Sequence, residues 1–149
     1  MRPLVLLLAL ACAFTALADP TEEEENSLDP DYAAGLKAIE AKNWPVAIRL
    51  FSSAALRDTR NSDLQNFLGY SYRNSGDLAG AFRHYNRALQ LNPRHRGAHE
   101  YIGEAYLMAG NFAKAEEHLA ELKRICLIPC DEQGHLEAKI AQYRGRAAK

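Results

Sequence analysis

One spacing limits what this chain can fold into, because small residues recur every 34 positions. Gly35, Gly69 and Gly103 lie 34 residues apart. The same spacing separates three alanines and three residues suited to helix starts, namely Ala47, Ala81, Ala115, Asn43, Asp77 and Asn111. A period of this length is typical of structural units that bury their apolar faces only against similar neighbours. The spacing therefore predicts a stack of repeated units.

Each unit has the pattern of two amphipathic helices. In segment 63–96, apolar residues recur at helical spacing before Gly76-Asp77 and again after it, up to Pro93. Glycine favours a helix end, aspartate caps a helix start, and proline cannot continue a helix. The chain is therefore predicted to be all-α, with helix pairs at about 29–62, 63–96 and 97–130.

Local signals predict where the pairs begin. Asp29 can accept the free N–H groups of a helix that starts at Pro30. Ser62, followed three residues later by Gln65, has the pattern of a capping box, and we expect the third pair to begin at Gly97. A last helix is predicted at about 132–146, where one apolar face would cover the open end of the stack. That face consists of Leu136, Ile140 and Tyr143.

The N-terminus has the pattern of a secretory signal peptide. A positive start at Arg2 precedes an apolar run and the sequence Ala16-Leu17-Ala18. Such a pattern predicts export, with cleavage of residues 1–18 after Ala18. Lipidation at Cys12 is an alternative that the flanking residues fit poorly. The segment 19–28 carries four consecutive glutamates and is predicted to be a disordered acidic leader.

Charge restricts the possible partners. The formal net charge of the whole chain is −1 at pH 7, whereas non-specific nucleic-acid binding needs a strong basic excess. We therefore expect no nucleic-acid partner. The apolar run near the N-terminus is too short to span a bilayer, so we expect no stable membrane insertion after signal cleavage.

The repeated residues resemble the tetratricopeptide repeat. In the first helix of a repeat, the family pattern has a bulky residue, then glycine, then tyrosine, and the middle unit matches it with Leu68, Gly69 and Tyr72. In the second helix the pattern has alanine, an aromatic residue and alanine, followed by proline. The middle unit matches this part with Ala81, Tyr85, Ala88 and Pro93. The outer units depart from the pattern, with Thr59 in place of the proline and Leu119 in place of the aromatic residue. The resemblance implies a right-handed superhelix of three helical hairpins and a capping helix.

The chain as a whole is similar to small exported bacterial tetratricopeptide repeat proteins without an assigned activity. The family resemblance implies that a protein or peptide partner, here in the bacterial envelope, lies along the first helix of each hairpin. The residues expected to face that groove are Tyr32, Leu36, Asn66, Tyr70, Arg73, Asn74, Glu100, Glu104, Leu107 and Met108. Glu100 and Glu104 stand where a clamp for acidic C-termini would need basic groups. They favour a partner segment that carries a basic residue.

Two cysteines, Cys126 and Cys130, remain after the predicted cleavage. An even count in an exported chain indicates a disulfide, and we expect this one to fix the capping helix. The alternative is a redox-active or accessory subunit of a periplasmic enzyme that uses Cys126 and Cys130.

The histidines do not form a recognisable catalytic or metal-binding motif. His84 and His118 lie one period apart and are predicted at equivalent surface positions. His95 and His99 could bind a metal, but no carboxylate or thiolate partners are evident. No phosphate-binding loop or metalloprotease motif is present in the sequence. We therefore expect no enzyme, no cofactor and no metal, and interpret the chain as an exported scaffold. A purely structural dimer is a further alternative.

Overall fold

The computed structural model describes residues 29–147, all of whose regular elements are α-helices. They are α1 (Pro30–Glu40), α2 (Trp44–Arg57), α3 (Ser62–Asn74), α4 (Leu78–Leu91), α5 (Arg96–Met108), α6 (Phe112–Ile125) and α7 (Asp131–Ala147). The predicted signal peptide and acidic leader lie outside these residues. In the described range, none of the helices combines the length and apolarity needed to cross a membrane.

The second helix of each hairpin begins at the predicted cap. The side chains of Asn43, Asp77 and Asn111 accept backbone N–H groups at the starts of α2, α4 and α6. Asp29 caps α1 in the same way, accepting from the N–H groups of Asp31 and Tyr32 at 2.9 and 3.2 Å. These contacts satisfy donors that a helix start otherwise leaves unpaired.

Two predicted helix starts are displaced by one residue. The cap of α3 is Asn61, whose Oδ1 accepts from the N–H of Leu64 at 3.1 Å, so Ser62 is the first helical residue and the capping box is not formed. Helix α5 begins at Arg96 and not at Gly97, because Nδ1 of His95 accepts from the N–H of Ala98 at 3.2 Å. In both cases the residue one position earlier provides the side-chain acceptor that caps the helix.

In the first two hairpins the helices cross closely at a glycine. A Cβ added to Gly35 would lie 2.7 Å from the ring of Phe51, and one added to Gly69 would lie 2.5 Å from the ring of Tyr85. At Gly103 the neighbour is instead Leu136 of α7, at 2.6 Å. The leucine of the capping helix fills the space that an aromatic residue fills in the first two hairpins.

Helix α7 occupies the place of the first helix of a fourth hairpin. The buried residues Leu68, Ile102 and Leu136 follow one another at the 34-residue spacing. The odd-numbered helices touch along the stack, α3 against α5 and α5 against α7, while the even-numbered helices pack mainly on the odd ones. We call the surface formed by α1, α3, α5 and α7 the inner face, since these are the first helices of the three hairpins and the helix that follows them in the same row.

Within residues 29–147, the core is a series of three apolar clusters placed between successive hairpins. One joins α1, α2 and α3 around Phe51, one joins α4 and α5 around Tyr85, and one joins α5, α6 and α7 around Leu122 and Leu136. Each hairpin therefore depends on its neighbour for burial, as repeat architectures do.

Candidate functional site

The residues that the structure describes line a pair of clefts on the inner face that could hold a ligand. The first, which we call the acidic cleft, has a volume of about 380 Å³ and lies between α3, the start of α5 and the start of α7. The second, which we call the distal cleft, has a volume of about 320 Å³ and lies between the end of α5 and α7. The distal cleft is lined by Glu104, Leu107, Met108, Lys139, Gln142, Tyr143 and Arg146. Both clefts are lined by odd-numbered helices, so a bound segment could contact both.

A buried cation and its partners stand between the two clefts. Arg73 donates to the carboxylate of Glu104, and their side chains are only 8% and 18% exposed. The guanidinium lies 5.3 and 5.4 Å from the ring centroids of Tyr70 and Tyr101, within the range of a cation–π contact. This arrangement fixes the two tyrosines on the inner face and ties α3 to α5.

The structure distributes the ten predicted groove residues over several environments. Asn66 and Glu100 line the acidic cleft, while Glu104, Leu107 and Met108 line the distal cleft. Tyr70 and Arg73 stand between them, and Asn74 is exposed with its amide donating to the carbonyl of Tyr70. Tyr32 and Leu36 instead pack against the first core cluster.

Three of those residues are more buried than residues that line an open groove. Asn66, Arg73 and Glu100 are 5%, 7% and 6% exposed. Burial raises the pKa of the Glu100 carboxyl, which the hydrogen bond from His135 opposes. Nδ1 of that histidine lies 3.1 Å from Oε1 of Glu100. The inner face therefore holds polar groups that are poorly hydrated, and such groups gain from a complementary ligand.

Sequence reasoning missed the contribution of α7 to both clefts. Asp131, Glu132 and His135 line the acidic cleft, and Lys139 and Tyr143 line the distal one. The sequence predicts only that this helix covers the end of the stack. The 34-residue period itself was the signal, because it continues through Leu136 and therefore extends the row of inner helices.

The prediction that His84 and His118 lie at the surface is wrong, since both are half-buried between helices. The ring of His84 stacks on Tyr72 with centroids 5.1 Å apart, and that of His118 stacks on Tyr106 at 5.6 Å. Each tyrosine belongs to the first helix of its hairpin and each histidine to the second. The positions are equivalent, as predicted, but they help to close the hairpins.

His99 and His118 form a neutral hydrogen-bonded pair. Their Nδ1 atoms lie 3.0 Å apart, and Nε2 of His99 lies 3.0 Å from the carbonyl oxygen of Pro93. A carbonyl only accepts, so Nε2 of His99 carries the hydrogen and its Nδ1 accepts from His118. This contact repeats the one between Gln65 and His84, 34 residues earlier. Within residues 29–147, no three His, Cys, Asp or Glu side chains are placed to hold a metal ion.

Acid should destabilise the protein through this pair. Burial, together with repulsion from His99, lowers the pKa of His118 to about 4 from its ordinary 6.5. Between these values the unfolded chain binds more protons than the folded one. The unfolding equilibrium constant should therefore rise by up to about tenfold per pH unit as the pH falls, and level off below both values. Urea unfolding at pH 7 to 4 measures this effect.

The matched variant is His118→Gln, which removes the titrating ring. Carboxylates titrate over part of the same range in both proteins, so the difference between the two pH profiles isolates the histidine. Identical slopes for the parent and the variant would contradict the prediction.

Cys126 ends α6, and Cys130 directly precedes α7. Their Cα atoms lie 5.9 Å apart and their sulfur atoms are within bonding distance, which suits a disulfide. The loop between them carries Leu127 and Ile128, whose side chains are 96% and 80% exposed. A bond here ties the end of α6 to the start of α7.

The family models that match this chain share one description. Two family models, each described as tetratricopeptide repeat, match residues 32–93 and 72–125. One curated relative, the Protein O-mannosyl-transferase Tmtc3 of Drosophila melanogaster, is 25% identical over 83 residues, which are 56% of this chain and 9% of that protein. The chain thus spans under a tenth of the curated relative's length.

Solved structures share the fold. The type III secretion chaperone SycD of Yersinia enterocolitica, in complex with a peptide of the translocator YopD, aligns with a TM-score of 0.71 and 15% identity over 85% of this chain and 98% of that one. The first tetratricopeptide domain of Spaghetti (RPAP3), bound to the HSP90 peptide SRMEEVD, aligns with a TM-score of 0.69 and 17% identity over 80% and 91%. At such identity these likenesses concern the architecture alone.

Proposed function

Because this chain belongs to the tetratricopeptide repeat family, we propose that it is an exported, non-catalytic scaffold that binds a protein or peptide segment along its inner face. The observation that carries the proposal is the Tyr70–Arg73–Tyr101 cluster between the two clefts. Tyrosine and arginine are the residue types that dominate binding energy at protein interfaces. Here their positions are fixed before any partner arrives, which lowers the entropic cost of binding.

Two further observations support the proposal. The SycD and RPAP3 structures each hold a peptide on the same architecture. The inner face also combines exposed apolar surface, such as Met108 at 58% exposure, with polar groups at its centre. Mixed surfaces of this kind suit a peptide that contributes both side chains and backbone.

Export is supported by the signal-like sequence of residues 1–18 and by the placement of Cys126 and Cys130, whose Cα atoms lie 5.9 Å apart, as in a disulfide. Disulfides persist in oxidising compartments. We place the scaffold in the periplasm or outside the cell, with a mature chain that begins at Asp19.

Site-specific photo-crosslinking tests the binding surface in cells that produce the protein. A benzophenone amino acid replaces Met108 on the inner face, and Arg83 serves as the control because it is exposed on the even-numbered helix α4. We expect a discrete adduct at Met108 that is at least about fivefold stronger than at Arg83, since only the inner face has preformed contacts. Adding Tyr70→Ala should weaken it.

The same samples test each part of the proposal separately. Equal adduct yields at Met108 and Arg83 would overturn binding on the inner face. Fractionation and the intact mass of the purified chain test export. A full-length chain that starts at Met1 and stays in the cytosol would overturn that part alone.

A further inference from the structure

We propose that the acidic cleft is a subsite for one basic side chain, arginine or lysine, of the bound segment. The inference rests on the proposed function and specifies which chemistry the partner must offer. The cleft is formed by three elements that the fold brings together: the N-terminal halves of α3, α5 and α7. Its lining residues are Asp63, Asn66, Phe67, His95, Gly97, Glu100, Tyr101, Asp131, Glu132 and His135.

The charge of the cleft favours a cation. Four of its lining side chains are carboxylates, and its lining includes no lysine or arginine. Two of the carboxylates contact histidines of the same cleft, Asp63 with Nε2 of His95 at 2.9 Å and Glu100 with Nδ1 of His135 at 3.1 Å. An arginine from outside the lining contacts one lining carboxylate, and this contact is loose.

That contact joins Nε of Arg96 to Oε1 of Glu132 at 3.6 Å, with the arginine side chain 53% exposed. An exposed pair at this distance contributes little to stability, and a ligand can replace it. The cleft therefore has more negative charge than its own cations neutralise.

A buried acceptor independently indicates what is missing from the cleft. Asn66 is 5% exposed, and its Oδ1 accepts no hydrogen bond from any residue in the range 29–147. Buried polar atoms are rarely left without a partner. An unpaired acceptor beside carboxylates calls for a group that only donates, and guanidinium and ammonium groups are of this kind.

The aromatic lining favours the same ligand. Tyr101 already holds one guanidinium, that of Arg73, 5.4 Å from its ring centroid. Phe67 lines the same cleft. Aromatic rings contact the apolar stem of a long basic side chain while its charged end reaches the carboxylates. A carboxylate ligand would instead meet like charges, so the subsite discriminates against acidic segments.

A fixed-position peptide library tests the subsite on the purified mature chain. Dodecapeptide pools carry arginine, lysine, glutamine or glutamate at one central position and equimolar mixtures elsewhere. Mass spectrometry measures how much of each pool the immobilised protein retains. We expect the protein to retain about tenfold more of the arginine and lysine pools than of the glutamine pool, because one hydrogen bond between charged groups changes affinity by about that factor. The glutamate pool should be retained least.

Variants assign the preference to this cleft. The isosteric double substitution Asp63→Asn/Glu132→Gln should reduce the preference for the arginine and lysine pools over the glutamine pool to about threefold or less. Asn66→Ala should weaken it in the same direction. The matched control is Glu40→Gln/Glu117→Gln, which removes the same charge at exposed positions outside the cleft and should preserve the preference.

The outcomes separate this inference from the proposed function. Equal retention of all four pools would overturn the subsite while peptide binding stands. Retention of none would overturn both. A preference that survives intact in Asp63→Asn/Glu132→Gln would overturn the assignment to this cleft.

Discussion

Replacing Glu104 by alanine should lower the free energy of unfolding by about 3 kcal/mol, because it leaves the guanidinium of Arg73 buried without its counter-ion. The Arg73 side chain is only 8% exposed, and its Nε donates to no residue that the structure describes. The remaining hydrogen-bond donors would face the rings of Tyr70 and Tyr101, which cannot replace a carboxylate. Urea unfolding followed by circular dichroism at 222 nm measures the loss.

Two further variants make that result specific. Glu117→Ala removes a carboxylate from the exposed pair with Lys114 and should cost no more than about 0.5 kcal/mol. The double variant Arg73→Met/Glu104→Leu removes both charges and should recover most of the lost stability, since apolar residues often replace a buried ion pair without cost. A Glu104→Ala variant as stable as Glu117→Ala would show that the pair is not effectively buried.

Adding a single methyl group at Gly69 should destabilise the protein by about 2 kcal/mol, even though alanine favours helices. The new Cβ would lie 2.5 Å from the Cδ1 and Cε1 atoms of Tyr85. That ring is 0% exposed, so it cannot move aside without displacing α3 from α4. Thermal and urea unfolding of Gly69→Ala measure the change.

The chain offers a matched control in another helix. Gly134 lies in α7, and a Cβ added there meets no heavy atom within 4 Å. Gly134→Ala should therefore stabilise the protein by up to about 1 kcal/mol, through helix propensity alone. If Gly69→Ala and Gly134→Ala shifted stability in the same direction, close crossing at Gly69 would not be what requires a glycine there.

Local sequence signals were sufficient to place most helices. Asn43, Asp77 and Asn111 cap the helices that they were predicted to cap, and Gly76 and Gly110 adopt the positive φ of 93° and 74° that ends a helix. Lys42 has the equivalent position in the first hairpin and a φ of 54°. Because it is not a glycine, its positive φ could not be predicted from the positions of glycines. The starts of α3 and α5 were displaced because two adjacent residues can each serve as the cap. Which of them does so depends on the conformation of the preceding turn.

The inner face was harder to predict because its polar residues are partnered over long distances in the sequence. Arg73 forms an ion pair with Glu104, and Glu100 contacts His135, which lies 35 positions later in the sequence. A helical pattern indicates which side of a helix is polar, but a polar side covered by the next helix looks the same as one exposed to water. His84 and His118 illustrate this point, since each lies on the polar side of its own helix but is covered by a tyrosine of the neighbouring helix.

The repeat follows from the amino-acid order alone, because a 34-residue period of glycine, alanine and capping residues describes contacts that each hairpin makes with itself and its immediate neighbours. The place of α7 in the row of inner helices and the burial of Asn66, Arg73 and Glu100 became evident only from the packed helices. Burial of a polar side chain depends on where the next helix lies. That position follows from the packing of apolar surfaces, at Gly103 and Leu136 above all, and not from the polar residues themselves.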